Sequence, residues 1–151
     1  MSKRRTRSRQ APAPSTAPCP CGLPAPLQDC CGRLHRGEVQ ARTAEQLMRS
    51  RFSAFAVEDR GYLLRTWHPA ARPDRLDFEP GLRWRRLEIL ATTEGSPFHT
   101  EGTVEFRAHY TQAGRPGKLH EVSRFVRHEG AWVYHSGQGA RTPSGPVGPV
   151  S

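Results

Sequence analysis

Thr103-Val-Glu-Phe-Arg-Ala-His-Tyr110 is the stretch on which the fold turns. Val104, Phe106, Ala108 and Tyr110 alternate with Glu105, Arg107 and His109, and a period of two sends one set to a buried face and the other to water. Downstream, Ala113-Gly-Arg-Pro-Gly117 reads as a turn and residues 119–128 as the return strand. Glu129-Gly130 is a tight reversal, and residues 131–136 form a last strand with Trp132 and Tyr134 on one face. Upstream, residues 82–91 read as a further strand and residues 70–81, rich in Pro and Arg, as a loop. Before that loop the period becomes helical. Thr43 and Gln46 form a Thr-x-x-Gln capping box, and Leu47, Met48, Phe52, Phe55 and Ala56 make an apolar face, with Glu45, Arg49 and Arg51 off it or at its edge. A second short helix follows Asp59 and Gly61, uses Tyr62, Leu63 and Trp67, and stops by His68, because Pro69 disfavours helical geometry in the residue before it. Helices first and an antiparallel meander afterwards predict an α+β domain, helices packed on one face of the sheet.

The 151 residues give one domain with tails to spare. The net charge of +9 invites a nucleic-acid reading. Five of those charges come from Lys3, Arg4, Arg5, Arg7 and Arg9, however, and residues 19–137 carry only +3. Residues 1–18 and 138–151 are rich in Pro, Gly, Ala and Ser and are expected to be disordered tails, since they bury too little apolar surface to offset chain entropy. The basic arm is compatible with weak, salt-sensitive attraction to RNA, ribosomes or an anionic surface. Nothing in the sequence matches an RNA-reading motif. The Arg cluster is followed by Gln10 and a Pro/Ala stretch instead of an apolar signal segment, which predicts a cytoplasmic protein.

All four cysteines fall within 13 residues, as Cys19-Pro-Cys21-Gly and Cys30-Cys31-Gly. Four thiols this close, with Gly and Pro to turn the backbone, match an all-cysteine zinc sphere. A pair of disulfides is the rival, disfavoured by a reducing compartment and by strain in a bridge between adjacent residues. Four sulfurs saturate the ion, so the expected Zn2+ is structural. Arg33, His35 and Arg36 lie just beyond and are placed to offset its excess negative charge, with His35 as the alternative ligand.

The Cys19-Pro-Cys-Gly and Cys30-Cys31-Gly pattern resembles the SEC-C motif, which assigns residues 19–36 to a zinc knot with Cys19, Cys21, Cys30 and Cys31 as ligands. Leu47-Met-Arg-Ser-Arg-Phe-Ser-Ala-Phe55, Tyr62-Leu-Leu-Arg-Thr-Trp-His-Pro69, Glu121-Val-Ser-Arg-Phe125 and Trp132-Val-Tyr134 resemble the bacterial YchJ family. The resemblance implies a nuclear transport factor 2-like (cystatin-like) cone over residues 42–137, helices against a curved antiparallel sheet, and it brings no biochemical activity with it. Such folds often pair through their sheets, so a homodimer is one expected assembly. This chain lacks the Gly-Ser-Gly-Lys stretch and further lysines usual between the cysteine pairs of SEC-C motifs, and it has no second motif at its carboxy end.

Cones of this kind often enclose a pocket. Trp67, His68, Glu121, Ser123, Arg124 and Tyr134 are the groups expected near its mouth, with Glu121 and Ser123 alternating onto one face with Phe125. A non-enzymatic module for a protein partner or a small ligand is the leading expectation. An isomerase or dehydratase using a pocket carboxylate or His is the rival, and it requires Glu121 in a closed cavity beside another titratable group. Against both stand structural roles: Glu121 and Arg124 as an ion pair or as partners of Arg49 and Arg51, the aromatics as core, and His68 as a cap on backbone carbonyls.

Overall fold

The computed structural model describes residues 17–143. The basic arm up to residue 16 and the tail beyond Pro143 therefore lie outside the described residues. A 3-10 turn at Leu27–Asp29 leads into α1 (Cys31–His35), followed by α2 (Ala44–Ala56) and α3 (Arg60–Arg65). Four strands come next: β1 (Leu82–Glu94), β2 (Glu101–Gln112), β3 (Arg115–His128) and β4 (Ala131–Pro143). They form one antiparallel meander in the order β1-β2-β3-β4, the expected α+β arrangement.

Thr43 caps α2 as anticipated, its hydroxyl accepting from the Gln46 amide at 3.0 Å. Gln46 does not close the box on Thr43. Its side-chain carbonyl accepts instead from the Arg42 amide at 2.7 Å, one residue further out. Asp59 caps α3 through the Tyr62 amide, and that helix ends before Trp67, which lies beside β4 in a short parallel bridge to Tyr134.

β2 keeps its alternation, with Val104, Phe106, Ala108 and Tyr110 all buried. Their inward face meets α2 over a core that includes Leu47, Phe52, Leu63, Phe125 and Trp132. The outer face carries polar pairs, including His109 to Glu88 at 2.7 Å and His120 to Glu105 at 2.7 Å. The β2–β3 turn is tighter than the sequence suggests: Ala113 and Gly114 alone make it, both with positive φ, and Arg115–Gly117 already belong to β3.

β4 overturns one expectation. Residues 138–143, read from composition as disordered tail, continue the strand and pair with Gly117–Val122. Backbone hydrogen bonding to a neighbouring strand needs no apolar side chain, so a Gly-rich segment can extend a sheet that already offers it an edge. Arg51 overturns another. Placed at the edge of the apolar face by its spacing, it is only 4% exposed, because the end of α3, Trp67 and Tyr134 close over it. No helix among the described residues is long and apolar enough to cross a membrane.

Candidate metal centre and ligand cavity

The knot begins two residues before its first cysteine. The Cys19 amide donates to the Ala25 carbonyl and the Leu27 amide to the Ala17 carbonyl, closing a small antiparallel ribbon. Gly22 turns this ribbon at a φ of +98°, which a side chain would make costly. The 3-10 turn ends as the Cys30 amide donates to the Leu27 carbonyl, and Cys31 opens α1.

These two turns bring the four sulfurs within 4.8 Å of one another, with Cys21 and Cys30 at 3.7 Å. All four cysteines are free, and Cys19, Cys21 and Cys31 are buried. Such a set of donors can hold one metal ion. The thiols compete for charge: hydrogen bonds from Cys21 and Cys31 hold Cys19 far below the ordinary thiol range. Burial and the neighbouring Cys21 and Cys19 push Cys30 up to about 12.

Arg33 and Arg36 do not turn toward the sulfurs. Both pair with Glu38, and Arg36 also donates to the Gln28 carbonyl. His35 is not drawn in as a ligand either, since its Nε2 lies 2.9 Å from the Ser50 carbonyl oxygen and its ring packs on Tyr62. The surrounding support comes from α2. Ser53 Oγ lies 3.4 Å from Cys19 Sγ, and Arg49 donates to the Cys21 carbonyl at 2.8 Å.

On the sheet side of α2 lies a cavity of about 150 Å³. Met48, Phe52, Phe55, Trp84, Phe106 and Leu119 give it apolar walls. Its polar groups are Arg51, Glu121, Ser123 and Tyr134, with Trp67 beside them. Ser123 Oγ donates to Glu121 Oε2 at 2.6 Å, and the Tyr134 hydroxyl donates to the same oxygen at 3.3 Å. Glu121 thus sits beside a titratable group and is not locked in an ion pair. Burial, reinforced by the Glu121 carboxylate, pushes the Tyr134 hydroxyl up to about 12, which keeps it a neutral donor. Arg51 stacks over Trp67 and Tyr134, 5.0 and 4.8 Å from their ring centroids, while Nη1 donates to the Leu63 carbonyl and to Thr66 Oγ1, each at 2.8 Å.

A bulge in β4 completes this geometry. Arg124 pairs with Ser136 and Phe125 with Tyr134, so His135 is the extra residue. Tyr134 and Gly137 would point to opposite faces in a regular strand, and the bulge puts both on the cavity side. Gly137 is required there, because a Cβ on it would collide with the Glu121 carboxylate and reach to 2.8 Å from the Tyr134 hydroxyl.

Of the six expected pocket residues, Trp67, Glu121, Ser123 and Tyr134 line the cavity. Arg124 and His68 do not. Arg124 follows Ser123 directly, so alternation turns it outward, where it is exposed and pairs with Glu101 at 2.8 Å instead of with Glu121. His68 packs against His128 and His135 on the outer side, and its Nδ1 accepts from the Ala70 amide, so it caps an amide and not a carbonyl. Arg51 is the member that sequence reasoning missed. Its spacing held the signal, three residues after Met48 and four before Phe55 on one helical face.

Residues 43–137 match the family described as YchJ, middle NTF2-like domain. A UPF0225 protein of Streptomyces coelicolor is 60% identical over 111 residues, spanning 74% of this chain and 86% of the relative. One from Bordetella pertussis is 48% identical over 119 residues, spanning 77% and 88%. Among solved structures, a SEC-C motif containing protein from Rhodopseudomonas palustris superposes with a TM-score of 0.71 at 32% identity, over 81% of this chain and 98% of its own. A sec-c motif containing protein from Psychrobacter arcticus gives 0.68 at 30% identity, over 82% of both chains. The nuclear transport factor 2-like fold, the cysteine cluster and these relatives agree: the chain belongs to the UPF0225 family of YchJ-like proteins.

Proposed function

We propose that the protein is a small-ligand binding module whose cysteine knot holds a structural Zn2+. A tetrahedron of zinc–sulfur bonds about 2.3 Å long has edges of about 3.8 Å, and the Cys21–Cys30 separation of 3.7 Å supports that size. Four sulfur ligands leave no open position, so the ion contributes folding energy and no chemistry.

The observation that carries the binding role is the cavity itself. It is an apolar chamber with a charged group of each sign at its wall, the arrangement by which ligand sites combine affinity with orientation. The deciding experiment is a fragment screen read by NMR at the Trp67 and Trp84 indoles. The expected result is ligand-induced shifts in the wild type that disappear in Ala108→Phe, which fills the chamber from β2. Fragments that shift a folded Ala108→Phe variant as they shift the wild type would overturn the reading.

A further inference from the structure

We infer that the cavity takes a small, neutral ring compound bearing an amide or lactam, a group that donates and accepts hydrogen bonds side by side. This rests on the cavity being a ligand site and adds the chemistry of what enters it. Size comes first. Apolar cavities of about 150 Å³ admit one benzene-sized ring, and this chamber has that volume with Phe, Trp and Met walls.

Charge narrows the class further. Both bonds to Glu121 land on Oε2, and among the described residues Oε1 has no hydrogen-bond partner. Arg51 is buried, its Nη1 is used twice, and its Nε and Nη2 donate to no described residue. No carboxylate of a described residue lies within 4.0 Å of the guanidinium. One unfilled acceptor and unfilled donors therefore belong to two residues that line one chamber, and their opposite charges cancel. An anionic ligand would meet Glu121, a cationic one would meet Arg51, and a zwitterion would strip two more charges of water in an apolar space. An amide gives its N–H to Oε1 and its carbonyl oxygen to the guanidinium, filling both at the cost of no new charge.

The test uses four probes of one ring size against the full zinc-loaded chain: benzamide, benzoate, benzylamine and toluene, titrated by NMR. Benzamide is expected to bind at least about tenfold more tightly than the other three, the factor that one unmet buried polar group costs. The Glu121→Gln variant is expected to narrow the gap between benzoate and benzamide, because the anion no longer meets a carboxylate. Toluene binding as well as benzamide overturns the amide assignment while leaving the cavity a ligand site. Benzoate or benzylamine binding best overturns it too. No shift from any probe removes both the assignment and the reading beneath it.

Discussion

At Gly137 the absence of a side chain is the structural requirement. The Glu121 carboxylate occupies the space where a Cβ would stand, and the Tyr134 hydroxyl borders it. Backbone strain plays no part, since Gly137 is not among the glycines with positive φ. Gly137→Ala should therefore destabilise the fold by about 1–3 kcal/mol, the usual penalty for overpacking a filled site. Urea unfolding measures it, and a midpoint equal to the wild type would contradict the close approach. The same substitution must swing Glu121 away from Ser123 and Tyr134. Tyr134 is held above its ordinary 10.0 first by burial and then by that carboxylate, so its phenolate should form earlier in the variant, a change visible by ultraviolet absorbance. A raised pKa on an acid means a stabilising share that is whole below pH 10 and lost as pH climbs toward 12. In Gly137→Ala that loss should begin at the same pH, which the unfolded chain sets, but be smaller and complete at a lower pH.

α2 serves two sites from opposite sides. Arg51, Phe52 and Phe55 face the cavity, whereas Ser53 and Arg49 reach the knot. Ser53 is fully buried, and its hydroxyl touches Cys19 Sγ. Outer groups that orient metal ligands are typically worth 10–100-fold in affinity. Ser53→Ala should weaken zinc retention by about tenfold, measured by chelator competition. Unchanged retention would mean that the knot holds its metal without α2. How far these elements were legible in the sequence depends on how local their causes are. The convergence of the cysteine pairs into one cluster, the Thr43 cap and the shared face of Glu121 and Ser123 are written within a few residues and are seen in the fold. Arg124 was misplaced although its neighbour Ser123 already implied the opposite face. Arg51 is covered by α3, Trp67 and Tyr134, which only the tertiary fold brings to it, and Gly137 reaches the cavity side through one extra residue at His135 that resets the parity of β4. Composition misled at residues 138–143 because strand pairing to β3 is a property of the neighbour's edge and not of the Gly-rich segment.

At the scale of the molecule, the knot and the cone share α2, so metal binding at the knot should be coupled to the stability of the cone. The knot's buried cluster is three cysteines with Leu27 and Cys30 packed on it, far too little apolar surface to hold a fold by itself. On the proposed reading its order would come from a bound ion and from α2, and the helix would lose a covered side when the ion leaves. Purified protein should carry about one equivalent of zinc by atomic spectroscopy, as one tetrahedral site demands, and a Cys30→Ser, Cys31→Ser double variant should carry none. Stripping the metal by chelation should lower the cone's melting temperature by about 5 °C or more, equivalent to roughly 2 kcal/mol in a chain of this size. The loss should appear in the sheet's near-ultraviolet signal from Trp84 and Trp132, because both lie in the core that α2 closes. If those tryptophans melt at the same temperature with and without zinc, the knot is an appendage. The shared helix would then transmit nothing to the cavity. If they melt together with the knot, residues 17–143 form one cooperative unit, and the zinc that binds to α2's outer side holds the shape of the chamber on its inner side.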